Sequence, residues 1–278
     1  MRGTALGLAA CLIAGSAHAQ EAAQPAAPAS GYQVDQFGHL PGLLWDDTKG
    51  MVQAPAAWTA QDWTRAGWGA AAVLAAGLLL DHDVDQAVVR SDHPALRNAA
   101  RNVAQLGGAG GLVLIGGGYL ATSLLGQEEG RALWVDTGIA TVLARATAFA
   151  AQVAVGRADP GQDRGAHDFR PFSSQDSFPS GHAAQAFAMA SAISLHADSP
   201  WAGGVAYGLA GLVGVARLET RDHYTSDVVA GALVGTVIGR WTVRFNQDRR
   251  EHPGATAQVS VAPAWGPGFR GVSLVADF

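Results

Sequence analysis

The chain is organised around Ser177-Phe178-Pro179-Ser180-Gly181-His182, a stretch in which a loop gives way to a predicted helix. Pro179 halts regular structure, Gly181 permits a tight backbone, and the alanine-rich run over residues 182–197 predicts a helix. Ser180, Gly181 and His182 therefore lie at a helix N-terminus. The free N–H groups and the positive dipole end of such a terminus favour phosphate-like anions.

A second group of polar residues follows at Arg217, His223 and Asp227. The spacing of His223 and Asp227 predicts one shared helix face, on which the carboxylate orients the imidazole and stabilises its charged form. Together with His182, the two stretches supply two imidazoles, a carboxylate, a guanidinium and an anion-binding turn. In-line phosphoryl transfer needs such a set: a nucleophile, an acid on the opposite side of phosphorus, and donors around the equatorial oxygens.

The two stretches resemble the second and third signatures of the type-2 phosphatidic acid phosphatase and vanadium haloperoxidase superfamily. The matching residues are Pro179-Ser180-Gly181-His182, then Arg217, five residues, His223, three residues and Asp227. The resemblance implies an all-α fold, a six-helix bundle. It also implies a phosphatase acting on a phosphomonoester or pyrophosphate of a small molecule or a lipid.

The resemblance also assigns roles to individual residues. His223 attacks phosphorus to form a phosphohistidine, Asp227 holds its ring, and His182 protonates the leaving oxygen and later activates water. The expected phosphate ligands are Arg217, Ser180, the Gly181 N–H and Arg157. No metal and no other cofactor is implied.

The first signature of the family, a Lys, six residues and then Arg-Pro, is degenerate in this chain. Aligned on residues 156–160, its Lys position falls on Gln152 and its Arg position on Asp159. A like charge beside a phosphate costs on the order of a few kcal/mol even at an effective dielectric of about 20, so this change puts ordinary activity in doubt. A second register, on Arg170-Pro171, also lacks the lysine. We expect another arginine to compensate, and the candidates are Arg157, Arg164, Arg170 and Arg221.

Several alternatives stay open. A catalytically impaired anion- or lipid-binding member of the family is consistent with the lost cations, which argue against a vanadium-dependent haloperoxidase. A purely structural membrane protein would tolerate replacement of Arg217, His223 and Asp227. A serine-hydrolase triad of Ser180, His223 and Asp227 is disfavoured because the G-x-S-x-G elbow is missing.

The remaining sequence predicts four segments. Residues 1–19 have the charged start, apolar stretch and Ala-His-Ala end of a cleaved signal peptide, and residues 20–35 have the composition of a disordered linker. Residues 36–250 form one helical domain. Alternating apolar residues in 251–278 predict a short hairpin. The only cysteine, Cys11, leaves with the signal, so no disulfide is expected.

Six apolar runs predict the helices: 66–80, 103–125, 132–155, 182–197, 201–216 and 227–243. Only the second and third reach the roughly 20 residues that cross a bilayer comfortably. If all six span, the loops at 156–181 and 217–226 face the cytoplasm, opposite to the side that the resemblance implies. A first run that does not span, or a soluble periplasmic bundle, restores the expected side. We therefore predict a periplasm-facing envelope protein, inner-membrane or periplasmic, with no nucleic-acid partner.

Two further patterns bear on the site. Gly231, Gly235 and Gly239 have the small-xxx-small spacing that lets helix backbones approach closely, which would bring the His182 helix to the His223 segment. The acidic run at 81–92 resembles a calcium loop, but Gln86 stands where the turn of that loop needs Gly. We interpret this run as a solvated acidic helix end.

Overall fold

The computed structural model describes residues 37–91, 93–197, 199–252, 258–266 and 269–277. These residues are helical apart from loops and one C-terminal hairpin, so the predicted all-α class is confirmed. The predicted signal peptide and linker lie outside the described residues.

The described residues form nine α-helices and two strands. The helices are α1 (Leu40–Gln53), α2 (Ala60–Leu79), α3 (Asp81–Ser91), α4 (Pro94–Ala104), α5 (Ala109–Leu124), α6 (Glu128–Val155), α7 (Gly181–His196), α8 (Pro200–Glu219) and α9 (Thr225–Glu251). The strands β1 (Gln258–Gly266) and β2 (Phe269–Asp277) pair antiparallel from Gln258 opposite Asp277 to Gly266 opposite Phe269. The predicted C-terminal hairpin is thus confirmed.

The second predicted run, 103–125, is not one helix. The chain leaves α4 at Ala104, passes through the 3₁₀ turn Gln105–Gly107 and starts α5 at Ala109, with a bend of 44° between the two helical parts. A Cβ on Gly107 would lie 2.5 Å from the carbonyl oxygen of His182. The break therefore brings the backbone of this turn against the first turn of α7, which a continuous helix of larger residues would not allow.

Helix α7 is the central helix and packs against α6, α8 and α9. Its alanines at 183, 184, 188 and 192 are completely buried. Cβ atoms on Gly231, Gly235 and Gly239 of α9 would lie 2.3, 2.1 and 2.7 Å from carbonyl oxygens of α7 and its N-cap residue. The predicted close approach of these two helices is therefore confirmed, and it fixes the start of α9 beside the start of α7.

A buried polar cluster joins α1 to the far end of this bundle. The carboxylate of Asp47 on α1 accepts hydrogen bonds from Asn246 at 3.1 Å and Arg249 at 2.7 Å, both on α9. Asn246 also donates to Asp136 on α6 at 2.9 Å, and Asp136 pairs with His196 at the end of α7. Both carboxylates are fully buried, so α1 is an integral part of the domain.

Several helices are suited to a membrane. By length and composition α6, α8 and α9 could each cross a bilayer, and the number rises to five if α2 with α3 and α4 with α5 each form one bent span. Large apolar side chains on the outer helix surfaces are largely exposed: Trp68, Leu78, Val113, Leu124 and Trp201. Contiguous exposed apolar surface of this kind is typical of lipid contact and indicates membrane association.

Candidate active site

The predicted site residues meet at one end of the bundle, where α6 and α8 end and α7 and α9 begin. Ser180 is the N-cap of α7, and its hydroxyl accepts a hydrogen bond from the N–H of Ala183 at 3.4 Å. The N–H of Ser180 donates to the carbonyl oxygen of Asp227 at 2.9 Å. This bond ties the anion-binding turn directly to the first turn of α9.

His223 lies before α9 rather than on it. The helix begins at Thr225 with Tyr224 as N-cap, so His223 and Asp227 do not share a helix face as the spacing predicted. The Nδ1 atom of His223 is 2.7 Å from the carbonyl oxygen of Ser177. A carbonyl oxygen only accepts, so Nδ1 carries the hydrogen and Nε2 keeps a free lone pair. That tautomer suits nucleophilic attack through Nε2.

Asp227 acts on His223 indirectly. Its Oδ2 atom accepts hydrogen bonds from the N–H of Tyr224 at 2.7 Å and from the hydroxyl of Ser177 at 2.6 Å. The carboxylate thus caps α9 and holds the residue whose carbonyl orients the imidazole. The direct carboxylate–imidazole bond that we expected is replaced by this contact through Ser177.

Burial and nearby cations keep both imidazoles neutral. Burial, followed by the charge of Arg217, lowers the pKa of His223 to about 3. Burial and the charges of Arg217 and Arg145 lower the pKa of His182 to about 4. His182 lowers the pKa of His223 as well, by less than burial and Arg217 do. An anion between these groups would be strongly favoured.

Arg157 lies in a buried charge network and uses all five of its N–H groups there. It donates to the carboxylate of Asp81 at 2.7 Å, to the carboxylate of Asp227, and to the hydroxyl of Ser226 at 2.7 Å. Its remaining two donors go to the carbonyl oxygen of Ala166 at 3.0 and 2.7 Å. No N–H group is left for a phosphate, which disagrees with the expected role of Arg157 as a phosphate ligand.

Asp81, which pairs with Arg157, is buried and not solvated as the sequence predicted. Its side chain is only 1% exposed, so the interpretation of this residue as part of a solvated helix end is wrong. Besides Arg157, its carboxylate accepts hydrogen bonds from the N–H and the hydroxyl of Ser226 at 2.8 and 2.7 Å. No cluster of three or more metal-ligating side chains occurs among the residues that the structure describes.

The two degenerate positions of the first signature have structural roles. Gln152 is buried, and its Nε2 donates to the carbonyl oxygen of Pro179 at 2.9 Å. This bond holds the backbone just before the anion-binding turn at residues 180–182. Asp159 precedes the 3₁₀ turn Pro160–Gln162, and its carboxylate accepts a hydrogen bond from the side chain of Gln162. The amide of Gln152 therefore holds the backbone before Ser180, whereas the carboxylate of Asp159 is bonded to a neighbouring side chain.

The other arginines proposed to compensate are held by carboxylates. Arg164 and Arg170 both lie beside Asp168, at 3.8 and 3.0 Å, and Arg221 forms ion pairs with Asp85 and Asp163, each at 2.8 Å. Arg217 has one such partner, Asp222, at 3.1 Å. Its Nε atom is buried and has no hydrogen-bond partner among the described residues, so one donor remains for a ligand.

Arg145 is a site residue that the sequence analysis missed. Its Nη1 atom lies 1.8 Å from the position that a Cβ on residue 181 would occupy, so the guanidinium packs directly on the backbone of Gly181. Its charge acts on His182, His223 and Arg217. Helical periodicity could have identified this residue. Arg145 precedes Gln152 by two helical turns, so both residues lie on the same face of α6.

The geometry agrees with the comparison to known families. Residues 133–251 match the model of the PAP2 superfamily, and all of the expected catalytic and phosphate-binding residues fall in that range. The similarity to the PAP2 superfamily is thus located in the segment that carries the site. Over 66 residues, the chain is 41% identical to a lipid A 1-phosphatase of Porphyromonas gingivalis. The match covers 23% of the present chain and only 15% of that relative's length.

Two solved structures resemble this chain. Aquifex aeolicus LpxE matches with a TM-score of 0.44 at 23% identity, over 59% of this chain and 95% of that one. The transmembrane PAP2 type phosphatidylglycerolphosphate phosphatase from Bacillus subtilis matches with a TM-score of 0.41 at 20% identity, over 76% of this chain and 96% of that one.

Proposed function

We propose that this protein is a phosphatase of the cell envelope that hydrolyses a lipid phosphate, a phosphomonoester or pyrophosphate, through a phosphohistidine intermediate. One observation carries the proposal. His182 in the first turn of α7 and His223 just before α9 are brought to the same end of the bundle by the bond from the Ser180 N–H to the carbonyl oxygen of Asp227 at 2.9 Å. Burial and then the charge of Arg217 lower the pKa of both imidazoles. Two imidazoles and two guanidinium groups around one helix N-terminus are suited to bind a phosphate and to divide its hydrolysis into two steps.

In the first step, Nε2 of His223 attacks phosphorus, so that a P–N bond forms while the P–O bond to the lipid breaks. His182 gives its proton to the departing oxygen, which leaves as an alcohol or a phosphate. In the second step, His182 takes a proton from water, the water oxygen attacks phosphorus, and the P–N bond breaks to release inorganic phosphate. Arg217, Ser180 and the Gly181 N–H stabilise the equatorial oxygens throughout.

The first step needs a protonated His182, but burial and the charges of Arg217 and Arg145 lower the pKa of this residue to about 4. The negative charge of a bound phosphate raises the pKa of a neighbouring imidazole. A substrate that enters as the monoanion also carries the required proton with it. We therefore propose that His182 is charged in the substrate complex, and that the proton arrives with the substrate.

The substrate class and the location are part of the proposal. The site lies at one end of helices with lipid-compatible outer surfaces, where a lipid headgroup would lie beside the anion-binding turn. The relative with the matching 66-residue stretch is named as a phosphatase of a lipid, which supports a lipid phosphate here too. The predicted signal peptide favours a site facing the periplasm.

Trapping the intermediate tests this function. The purified protein is incubated with phosphate-labelled phosphatidic acid and with a water-soluble phosphomonoester, then quenched in base, in which phosphohistidine is stable. We expect labelled protein and steady release of phosphate from the wild type, neither from His223→Ala, and both from the control His252→Ala, whose residue is exposed at the other end of α9. Equal release from wild type and His223→Ala would refute the proposal.

A second candidate function rests on Gln152 and Asp159. These residues replace the two cations of the first signature, as expected for a family member that binds a phosphate without hydrolysing it. Such a protein would bind vanadate, a mimic of the trigonal-bipyramidal transition state, but would release no phosphate from either substrate. The trapping experiment separates this outcome from an active phosphatase.

A further inference from the structure

We propose that Arg145 is a phosphate ligand of this site and supplies, from helix α6, the positive charge that positions 152 and 159 no longer provide. This inference rests on the proposed function for its substrate. It concerns a residue outside all three family signatures, seven positions before the expected lysine.

The first support is the packing of Arg145 against the anion-binding turn. The Nη1, Cζ and Nε atoms of its guanidinium lie 1.8, 2.7 and 3.3 Å from the position of a Cβ on residue 181. Only glycine leaves room for this contact. The guanidinium therefore lies beside the first free N–H groups of α7, where a phosphate oxygen can accept from both.

The second support is that no group among the described residues neutralises Arg145. No hydrogen bond or ion pair joins it to another described residue, whereas Arg157, Arg164, Arg170 and Arg221 all have carboxylate partners. Arg145 lies on α6, a candidate membrane span, between the exposed apolar residues Val142 and Phe149. An ionised side chain at such a position is costly unless it faces a polar cavity or a ligand.

The third support is the position of Arg145 relative to Gln152. The two residues share one face of α6, about 10 Å apart along the axis. Gln152 contacts Pro179 and Arg145 contacts Gly181, so the two side chains support successive parts of the same turn. Arg145 thus brings a positive charge to the turn from α6, the helix in which the first signature begins. Gln152 does not supply that charge and instead bonds to the backbone at Pro179.

Vanadate affinity tests the inference without requiring turnover. Vanadate dissociation constants are measured for wild type, Arg145→Gln and Arg145→Lys, with KM for a soluble phosphomonoester measured alongside. We expect both constants to rise at least about tenfold in Arg145→Gln, because a charged hydrogen bond to the anion is lost, and to recover in part in Arg145→Lys. The control Arg65→Gln removes an exposed arginine paired with Asp62 and should change neither constant.

A second pair of variants tests the contact between Arg145 and Gly181 by changing the glycine. Gly181→Ala would displace the guanidinium and should weaken vanadate binding as Arg145→Gln does. The control Gly208→Ala adds its methyl group where no atom lies within 4 Å, and should bind as the wild type does. Thermal unfolding of each variant verifies that it is folded.

The outcomes separate this inference from the proposed function. Vanadate affinity within about twofold of wild type in folded Arg145→Gln would overturn the role of Arg145, even if His223→Ala abolishes turnover. Weakened vanadate binding in Arg145→Gln supports the role of Arg145, and it does so even if wild type releases no phosphate and the proposed catalysis is rejected.

Discussion

Arg157→Gln should destabilise the fold far more than it weakens phosphate binding. The substitution leaves two carboxylates, Asp81 and Asp227, 1% and 0% exposed, without a cationic partner. Breaking a buried ion pair by removing one partner costs about 3–5 kcal/mol, because the remaining charge stays buried. The midpoint of thermal unfolding should therefore fall by about 6–20 °C, since 1 kcal/mol corresponds to about 2–4 °C in a chain of this size.

The charge balance of the network makes the prediction specific. Arg157 faces two carboxylates, so Asp81→Asn alone leaves one guanidinium paired with one carboxylate and should cost less than Arg157→Gln. The double variant combines Arg157→Gln with Asp81→Asn. It leaves one buried carboxylate without a cationic partner, whereas Arg157→Gln alone leaves two. The double variant should therefore be more stable than Arg157→Gln, which is a non-additive result that only contacting groups produce.

The assay is thermal unfolding of detergent-solubilised protein followed by tryptophan fluorescence, with vanadate affinity measured well below the unfolding midpoint. Arg65→Gln serves as the matched control, because its ion pair with Asp62 is exposed. The reasoning is refuted if Arg157→Gln unfolds within about 2 °C of wild type while its vanadate affinity falls by about tenfold or more. That result would make Arg157 a phosphate ligand after all.

Three further predictions follow from the site and its supporting helices. Restoring the first signature with Gln152→Lys and Asp159→Arg should not raise turnover in a phosphatase assay. The lysine would lose the bond that Gln152 makes to Pro179 and would bury a charge. Turnover above wild type would contradict this expectation. The value of kcat/KM should fall about tenfold per pH unit above about pH 6, where phosphomonoesters lose the proton that His182 needs; a flat profile to pH 8 would exclude proton delivery by the substrate. Gly235→Ala should lower the unfolding temperature, because its Cβ would lie 2.1 Å from a carbonyl oxygen of α7, whereas Gly208→Ala should not.

The apolar runs predicted the long helices and missed the short ones. Runs of apolar residues mark α2 and α5–α9, because these helices are apolar on most faces. Helices α1, α3 and α4 carry many polar residues, and the break at Gln105–Gly107 falls inside an apolar run. That break depends on a contact with His182, more than seventy residues away, which local periodicity does not reveal.

The signatures predicted which segments form the site but not how their polar atoms pair. The spacing of His223 and Asp227 suggested a direct bond, yet the helix begins between them and the imidazole bonds to Ser177. Asp81 pairs with Ser226 across 145 residues, so nothing local distinguishes it from the solvated acids around it. Arg145 could have been found only by asking which residues lie on the same helix face as Gln152, toward the N-terminus of α6.

The two sets of charges divide the site into unlike halves. The carboxylates of Asp81 and Asp227 pair with the single guanidinium of Arg157, which leaves an excess of one negative charge. Asp227 also holds Ser177, whose carbonyl oxygen accepts the hydrogen bond from Nδ1 of His223. In the proposed complex, Arg145 and Arg217 supply the positive charge on the phosphate side of His223. This polarity favours the tautomer with a free Nε2 lone pair and draws an anion to that atom. Exchanging Arg145 or Arg217 for a neutral residue should therefore weaken anion binding, whereas exchanging Arg157 removes the support of the ring itself.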